Sequence, residues 1–252
     1  MARWTRAIAA LPFRQGRVLD LGCAFRLQHA PVAAVWLLFH GRGRLAQLHR
    51  AHRADPGGTY LVCDAAHVPL ADRSFDGILC LDVLEHVTNE RAVLAETARL
   101  LKPGGTLVLT VPQSGLLAGL DSLNLFGRLV HATRRGRFPP EIAAAGCHRH
   151  YAVDDLRALV RDAFTLVRVR RTELGVAELV HLPMLVLFRW LIRVEPLYAA
   201  AAFAYYTVYL VEYVVSLGPA GYHLLLVARR AKTSRVAPIQ PAPGHTQIDT
   251  AM

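Results

Sequence analysis

Residues 61–112, LVCDAAHVPLADRSFDGILCLDVLEHVTNERAVLAETARLLKPGGTLVLTVP, constrain the fold more than any other part of this chain. They hold three short apolar runs, at 61–63, 77–81 and 106–111, each bounded by turn residues. Between the second and third, residues 90–101 change to a helical period, with Val93, Leu94, Thr97, Ala98 and Leu101 on one face. Lys102-Pro-Gly-Gly is expected to stop that helix, with glycine supplying a positive-φ cap and Pro103 unable to continue the ladder. Strand, helix and strand in this order make a parallel βαβ unit. Parallel strands are covered on both faces, which is why the runs are nearly all apolar instead of alternating.

The motifs Cys63-Asp-Ala, Leu70, Ser74-Phe-Asp-Gly-Ile, Val83-Leu-Glu-His-Val and Leu101-Lys-Pro-Gly-Gly-Thr-Leu follow one another in a fixed order. That train resembles the Rossmann-like (class I) S-adenosylmethionine-dependent methyltransferases of type 11-like kind, the broad group with quinone, sterol and natural-product methyltransferases. The resemblance is close over roughly residues 17–110. It implies an α/β fold, a doubly wound, seven-stranded, mostly parallel sheet with an antiparallel last strand. It also implies S-adenosylmethionine as cofactor and methyl transfer as the reaction.

Residues 17–22 read as a buried strand that runs through Asp20 into a turn at Gly22. Glycine there lets the backbone approach a ligand and opens a helix N-terminus toward it. The resemblance implies that Asp20 and Gly22 hold the amino-acid end of the cofactor. The loop then departs from the family pattern, because Cys23-Ala-Phe-Arg replaces the further glycines and Phe25 and Arg26 add bulk. The second strand, expected at 33–39, ends in Phe39-His-Gly-Arg without the acid that the family sets against the ribose. His40 offers a single hydrogen bond in its place. Two readings stand for residues 24–44: a diverged or disabled pocket, or an aberrant segment such as an out-of-frame stretch between intact motifs.

Residues 45–54 read as a helix and residues 60–65 as the third strand. Asp64 and Ala65 are the implied adenine contacts, set against a plain turn-forming role for Asp64. Asp76 is expected to be a structural, hydrogen-bonding acid at the start of the fourth strand. Leu81, Asp82 and Val83 lie at that strand's carboxyl end, where open α/β sheets bind ligands, and are implied to line the methyl face. His86 follows, as a base or as a structural histidine.

Residues 116–137 lack strand alternation and suit a lid, with Arg134, Arg135 and Arg137 as a basic cluster. Cys147-His-Arg-His-Tyr precedes a helix that starts near Asp154 or Asp155. His148 and His150 join His86 as candidate general bases. The spacing of Cys147, His148 and His150 is not that of a zinc site, so no metal is expected.

Residues 164–172 alternate like an edge strand, and residues 222–228 read as the last strand. Between them stands an apolar insertion over 174–218, with Pro183 as a kink and Tyr198, Tyr205, Tyr209 and Tyr213 on one helical stripe. A spanning helix needs about twenty apolar residues, and only the second half approaches that. A helical hairpin dipping into one leaflet, with the tyrosines, Arg189 and Arg193 at headgroup level, suits the insertion better. The alternative is a helical subdomain or a dimer face made by residues 176–217. The expected organisation is a core at 1–175, the insertion at 176–217, the last strand at 218–232 and a disordered Pro/Thr-rich tail at 233–252.

At 252 residues the chain suits one α/β domain with an added element. A hydrophobic content of 53% is high, and most of the excess follows residue 173. The net charge of +10 favours an anionic partner, a membrane surface with acidic headgroups above all. Nucleic acid is disfavoured, because no aromatic–basic interleaving accompanies the charge. Four cysteines without a C-x-x-C pair read as reduced thiols, and the N-terminus lacks a signal-peptide run. These features place the protein in the cytoplasm, peripheral or monotopic at the inner face of the membrane. The expected function is S-adenosylmethionine-dependent methyl transfer to a small or lipid-like acceptor. The rival is a non-catalytic, membrane-associated protein with a degenerate methyltransferase fold, which the loop at 24–26 and the acid missing near Phe39 would favour.

Overall fold

Strands Arg17–Leu21 (β1), Ala33–Phe39 (β2), Thr59–Cys63 (β3), Phe75–Leu81 (β4), Leu101–Pro112 (β5), Phe164–Thr172 (β6) and His223–Arg230 (β7) form one sheet in the order β3-β2-β1-β4-β5-β7-β6. The structure is a computed structural model that describes residues 2–13, 15–22, 33–39, 59–115, 118–119, 121–135, 147–172, 175–214 and 221–231. Strands β1 to β5 pair in parallel, and β7 runs antiparallel to both β5 and β6. The strand order reverses between β1 and β4, and it is outside the carboxyl ends at such a reversal that open α/β sheets bind ligands.

Both faces of the sheet are covered, which is the physical demand behind the continuous apolar runs. Helices Ala2–Ala9 (α1), Glu90–Leu100 (α2) and Val153–Val160 (α4) do the covering. Leu19, Ile78 and Leu107 pack with Val93 of α2 and with Leu156 and Val160 of α4. Their neighbours Val18, Leu79 and Val108 pack in a second cluster with Ala7 of α1, Leu11 and Val227. Phe75 is fully buried, and Asp76 beside it accepts from the Arg17 N–H (2.9 Å) and the Lys102 ammonium (2.7 Å).

Helix α2 begins where the Asn89 side chain accepts from the Ala92 N–H at 3.0 Å, an N-cap of ordinary kind. Its end corrects the expectation of a glycine cap. Leu101 is the cap, in extended geometry, and the chain passes directly into β5. The positive φ of +76° falls later, at Gly104. Gly105 is needed for close approach, because a Cβ there would lie 2.9 Å from the Lys102 carbonyl oxygen. A similar constraint holds at Gly221, where a Cβ would sit 2.5 Å from the Thr172 nitrogen in β6. Gly221→Ala is therefore expected to destabilise the protein by about 2 kcal/mol, measured by urea denaturation.

Beyond β5 the chain forms Ser122–Thr133 (α3). Between β6 and β7 lie Val176–Met184 (α5), a π-helical stretch Leu185–Ile192, and Glu195–Val214 (α6). Pro183 stands inside α5 and the π-helical stretch follows it at once. Proline removes a ladder donor and its ring crowds the preceding turn, so wider i→i+5 winding just after it has a local cause. Arg193, at φ +62°, then turns the chain into α6. Phe126 and Val130 of α3 pack against Leu185, which seats the apolar pair of helices on α3. Among the described residues, no helix is long and apolar enough to cross a membrane.

The loop at 23–26, His40, the helix expected at 45–54, Arg137 and the tail from 233 lie outside the described residues, as do the side chains of Tyr209 and Tyr213. Tyr198 and Tyr205 correct the picture of an outward tyrosine stripe. Their rings pack on His181 of α5, with centroids 6.3 and 4.7 Å away.

Candidate active site

The carboxyl ends of β1, β3 and β4 bring the cofactor residues implied by the sequence to one edge. Asp20 is 6% exposed, and among the described residues no hydrogen bond or ion pair reaches its carboxylate. Burial alone pushes its pKa from 3.8 to about 8. Such an orphaned acid fits a cationic ammonium, the group at the amino-acid end of S-adenosylmethionine. Gly22, two residues on, has φ +85°, the geometry that favours glycine.

Asp64 and Ala65 follow β3. The Asp64 carboxylate accepts from the Ala66 N–H at 2.9 Å, so it does form the local turn that was the plainer alternative. It is also exposed enough to meet a ligand, while Ala65 is buried beneath it. This loop is held from below by Arg99 of α2. The Arg99 guanidinium donates to the carbonyls of Val68 (2.8 Å) and Leu70 (2.9 Å), and pairs with Glu96 and Asp72. Glu96 in turn accepts from the Val68 N–H at 2.6 Å. Arg99→Ala is expected to cost about 2 kcal/mol in urea denaturation, because it leaves Glu96 buried without its partner.

Leu81 is half-buried and Val83 buried, with Asp82 between them at φ +54°. Asp82 tolerates that conformation because Thr110 holds it from two sides. The Asp82 N–H donates to the Thr110 carbonyl (3.1 Å), and the Thr110 hydroxyl donates to Asp82 Oδ1 (2.9 Å). The short 3₁₀ turn Leu84–His86 follows. Burial, and then the charges of Glu85, Asp20 and Asp82, push the Cys80 thiol well up. Three carboxylates thus converge around the end of one strand.

On the other side of that end stands a cluster of histidines and carboxylates. Asp121 caps α3, its Oδ1 accepting from the Asn124 N–H at 2.7 Å. Its Oδ2 lies 2.5 Å from His148 Nδ1, 2.9 Å from the Tyr222 hydroxyl that donates to it, and 3.4 Å from His150 Nε2. His148 Nε2 faces Glu85 Oε1 at 3.7 Å, beyond hydrogen-bond reach, so Glu85 acts on it through charge. Burial works against the His148 charge, but the carboxylates of Asp121 and Glu85 outweigh it and raise the pKa to about 10. Burial works against the Asp121 charge as well, and its bonds to the histidines hold its carboxyl far below the usual range.

The segment carrying these histidines is clamped along its backbone. Asn124 exchanges two hydrogen bonds with the His148 backbone, at 2.7 and 2.8 Å. Arg149 donates to the Leu84 carbonyl (2.9 Å) and pairs with Glu90, and the Tyr151 hydroxyl donates to Glu90 at 2.6 Å. The structure therefore brings His86, His148 and His150 together. The His86 and His148 rings stack with centroids 5.2 Å apart.

Sequence reasoning missed Asp121, Tyr222, the role of Glu85, and Ser122. An aspartate just before Ser-Leu-Asn and an apolar helical period is an N-cap signal that would have found Asp121. Tyr222 carries no local signal. Ser122 ties α3 to the apolar helices, donating to Glu178 at 2.5 Å and meeting His181 Nδ1 at 2.6 Å.

Comparison with known proteins agrees with this geometry. A family model described as a methyltransferase domain matches residues 19–109. The 27-O-demethylrifamycin SV methyltransferase of Amycolatopsis mediterranei is 28% identical over 192 residues, covering 70% of each chain. A ubiquinone biosynthesis O-methyltransferase of Cereibacter sphaeroides is 35% identical over 105 residues, which is 40% of this chain and 42% of that protein. The crystal structure of the Burkholderia thailandensis 1,6-didemethyltoxoflavin-N1-methyltransferase, with S-adenosylhomocysteine bound, superposes with a TM-score of 0.51 at 19% identity. That alignment covers 91% of this chain and 81% of the other, and it shows the shared fold. The domain match runs from β1 to β5, across the reversal of strand order beside which Asp20 stands orphaned. On these grounds residues 19–109 form a methyltransferase domain of the Rossmann-like (class I) kind that uses S-adenosylmethionine as cofactor.

Proposed function

We propose that this protein transfers the methyl group of S-adenosylmethionine to an oxygen of a small, lipid-like acceptor that it meets at a membrane surface. The observation that carries the reading is the meeting of two groups at one strand end, the orphaned Asp20 edge and the histidine–carboxylate cluster. The sulfonium of the bound cofactor supplies the activated methyl group. Asp20 and Gly22 would hold its amino-acid end, Asp64 and Ala65 its adenine, and Leu81, Asp82 and Val83 the methyl face. Of the histidine candidates, His148 has both ring nitrogens directed at carboxylates, and His86 stacks on it. His150 has its Nε2 toward Asp121 and the Tyr222 hydroxyl, both at 3.4 Å. Its Nδ1 has no hydrogen bond among the described residues, so His150 is the base and Asp121 orients it. The oxygen chemistry follows the two O-methyltransferase relatives.

In this reading residues 1–175 and 218–232 form the core, and residues 176–217 form the acceptor-side insertion. Nine of the ten exposed large apolar side chains among the described residues lie on that insertion, Phe203 being 79% exposed. A patch of this kind marks an interaction surface, and the basic residues Arg134, Arg135 and Arg193 stand exposed near it. The rival, a chain that kept the fold and lost the activity, turns on residues 24–26 and 40.

Tritium-labelled S-adenosylmethionine with a panel of phenolic and quinol lipids is the direct test. His150→Gln is expected to lower turnover about 100-fold with cofactor affinity unchanged. Saturable cofactor binding without methylation of any hydroxyl acceptor would contradict the proposal. For the surface, flotation with vesicles containing anionic lipid should fall by half or more in the double variant Leu197→Asp and Phe203→Asp. Equal flotation would remove the insertion as the anchor. A concentration-dependent dimer without flotation would place the same face against a second copy of the chain.

A further inference from the structure

Glu85 is completely buried, and neither of its carboxylate oxygens accepts a hydrogen bond among the described residues. Its Oε1 lies 3.7 Å from His148 Nε2 and 4.0 Å from His86 Nε2. The three candidate ligand atoms of Glu85, His86 and His148 fall within 4.8 Å of one another. A carboxylate buried without hydrogen bonds is costly, and a bound cation is one of the few groups that removes the cost. We infer that Glu85, His86 and His148 form a binding site for one divalent transition-metal cation of the zinc class.

Three further features support this site. First, the far nitrogen of His148 is taken by Asp121 at 2.5 Å, which leaves Nε2 to face Glu85. A carboxylate on the second nitrogen is the usual companion of a metal-binding histidine, since it fixes the tautomer and aims the ring. Second, two imidazoles and one carboxylate suit zinc or cobalt better than magnesium or calcium, which prefer all-oxygen cages. Third, bonds of about 2.1 Å in a tetrahedral site place ligand atoms about 3.4 Å apart, so Glu85 Oε1, now 3.7 and 4.0 Å from the two imidazole nitrogens, closes on them by side-chain adjustment alone.

A second grouping, Asp121, His148 and His150, shares the same histidine. There Asp121 is already satisfied by His148, the Tyr222 hydroxyl and the Asn124 N–H, so no unmet charge asks for an ion. Three protein ligands at the Glu85 site leave one coordination position for a water or substrate oxygen, the pattern of a reactive site and not of a structural one. The sequence concealed it because the ligands come from two distant segments, and the local spacing of residues 147–150 points elsewhere.

The inference stands apart from methyl transfer, since metal binding can be read with neither cofactor nor acceptor present. The full chain, stripped with a chelator and dialysed, is titrated with Co²⁺ by its visible d–d bands and with Zn²⁺ by equilibrium dialysis. One ion per chain is expected, with Zn²⁺ displacing Co²⁺. Glu85→Gln and His148→Gln should each weaken binding by about 100-fold or more, and Asp121→Asn by about tenfold. Cys147→Ser and His150→Gln should bind within about threefold of the parent. Circular dichroism melts show which variants remain folded, and His86→Gln serves as the second test if His148→Gln does not. Absence of stoichiometric binding, undiminished binding by folded Glu85→Gln, loss of binding in Cys147→Ser or His150→Gln, or binding of Mg²⁺ in preference to Zn²⁺ would each overturn the assignment.

Discussion

Replacing Asp20 by asparagine is expected to stabilise the free protein at pH 8.5 while weakening cofactor binding at least about 30-fold. The two effects share one cause. Burial raises the Asp20 pKa from 3.8 to about 8. Below about pH 4 the residue is protonated in folded and unfolded chains alike, and it contributes nothing to pH dependence. Between about pH 4 and 8 the unfolded chain releases this proton and the folded chain keeps it, so stability falls as pH rises. Above about pH 8 the folded chain carries a buried, unpaired charge at its full cost, on the order of a few kcal/mol. Asparagine removes that charge, so the melting temperature should rise by about 5 °C at pH 8.5 and hardly change at pH 4. The cofactor's ammonium is the group that makes the charge useful, and asparagine cannot replace it. A melting temperature that falls at pH 8.5 would mean that Asp20 is already paired in the free protein.

Asp121→Ala should do the most damage on the acceptor side. Asp121 is 1% exposed and joins four elements of the site: the α3 cap, His148, His150 and the Tyr222 hydroxyl. Removing it leaves His148 facing a buried gap, and the expected loss is about 3 kcal/mol in urea denaturation. Turnover should fall by about 100-fold or more, because His150 loses the partner that aims it. The proposed cofactor site should survive, since its residues stand on or just after β1, β3 and β4 and not on α3. Turnover within a few-fold of the parent in a folded Asp121→Ala protein would remove this cluster from the reaction.

The sheet was legible because a parallel, doubly covered sheet leaves a local mark. Residues such as Val18 and Leu19, or Leu79 and Ile78, are buried on opposite faces, so the run is apolar whatever the partner strands are. The edge proposed for the cofactor rests on motifs at strand ends, and the structure sets Asp20, Asp64 and Asp82 at or just after the ends of β1, β3 and β4. The site's second half was harder to read, because it is assembled across the chain. Asp121, His148 and Tyr222 come from three segments, and no spacing rule links them. The end of α2 was misjudged for a different reason. Gly104 and Gly105 follow the helix closely, but the positive φ of Gly104 and the close packing of Gly105 against Lys102 and Asp76, not a helix cap, call for glycine there. Of the expected tyrosine stripe, Tyr198 and Tyr205 do lie on one side of α6, facing His181. Their direction was not legible, since periodicity alone does not say that His181 stands opposite Tyr198 and Tyr205.

The insertion and the site are joined through neighbouring residues. Ser122 bonds Glu178 and His181 of α5, and the next residue back is Asp121. An acceptor arriving along the apolar helices would reach the histidine cluster at the point where that contact is made.

Calorimetric titration of the full chain with S-adenosylhomocysteine tests the central claim most directly. The expected result is one saturable site per chain, displaced by S-adenosylmethionine, with affinity rising about 20-fold from pH 6 to 7.5 as Asp20 gives up its proton. No heat and no thermal shift at millimolar ligand would contradict it and leave the fold without its cofactor.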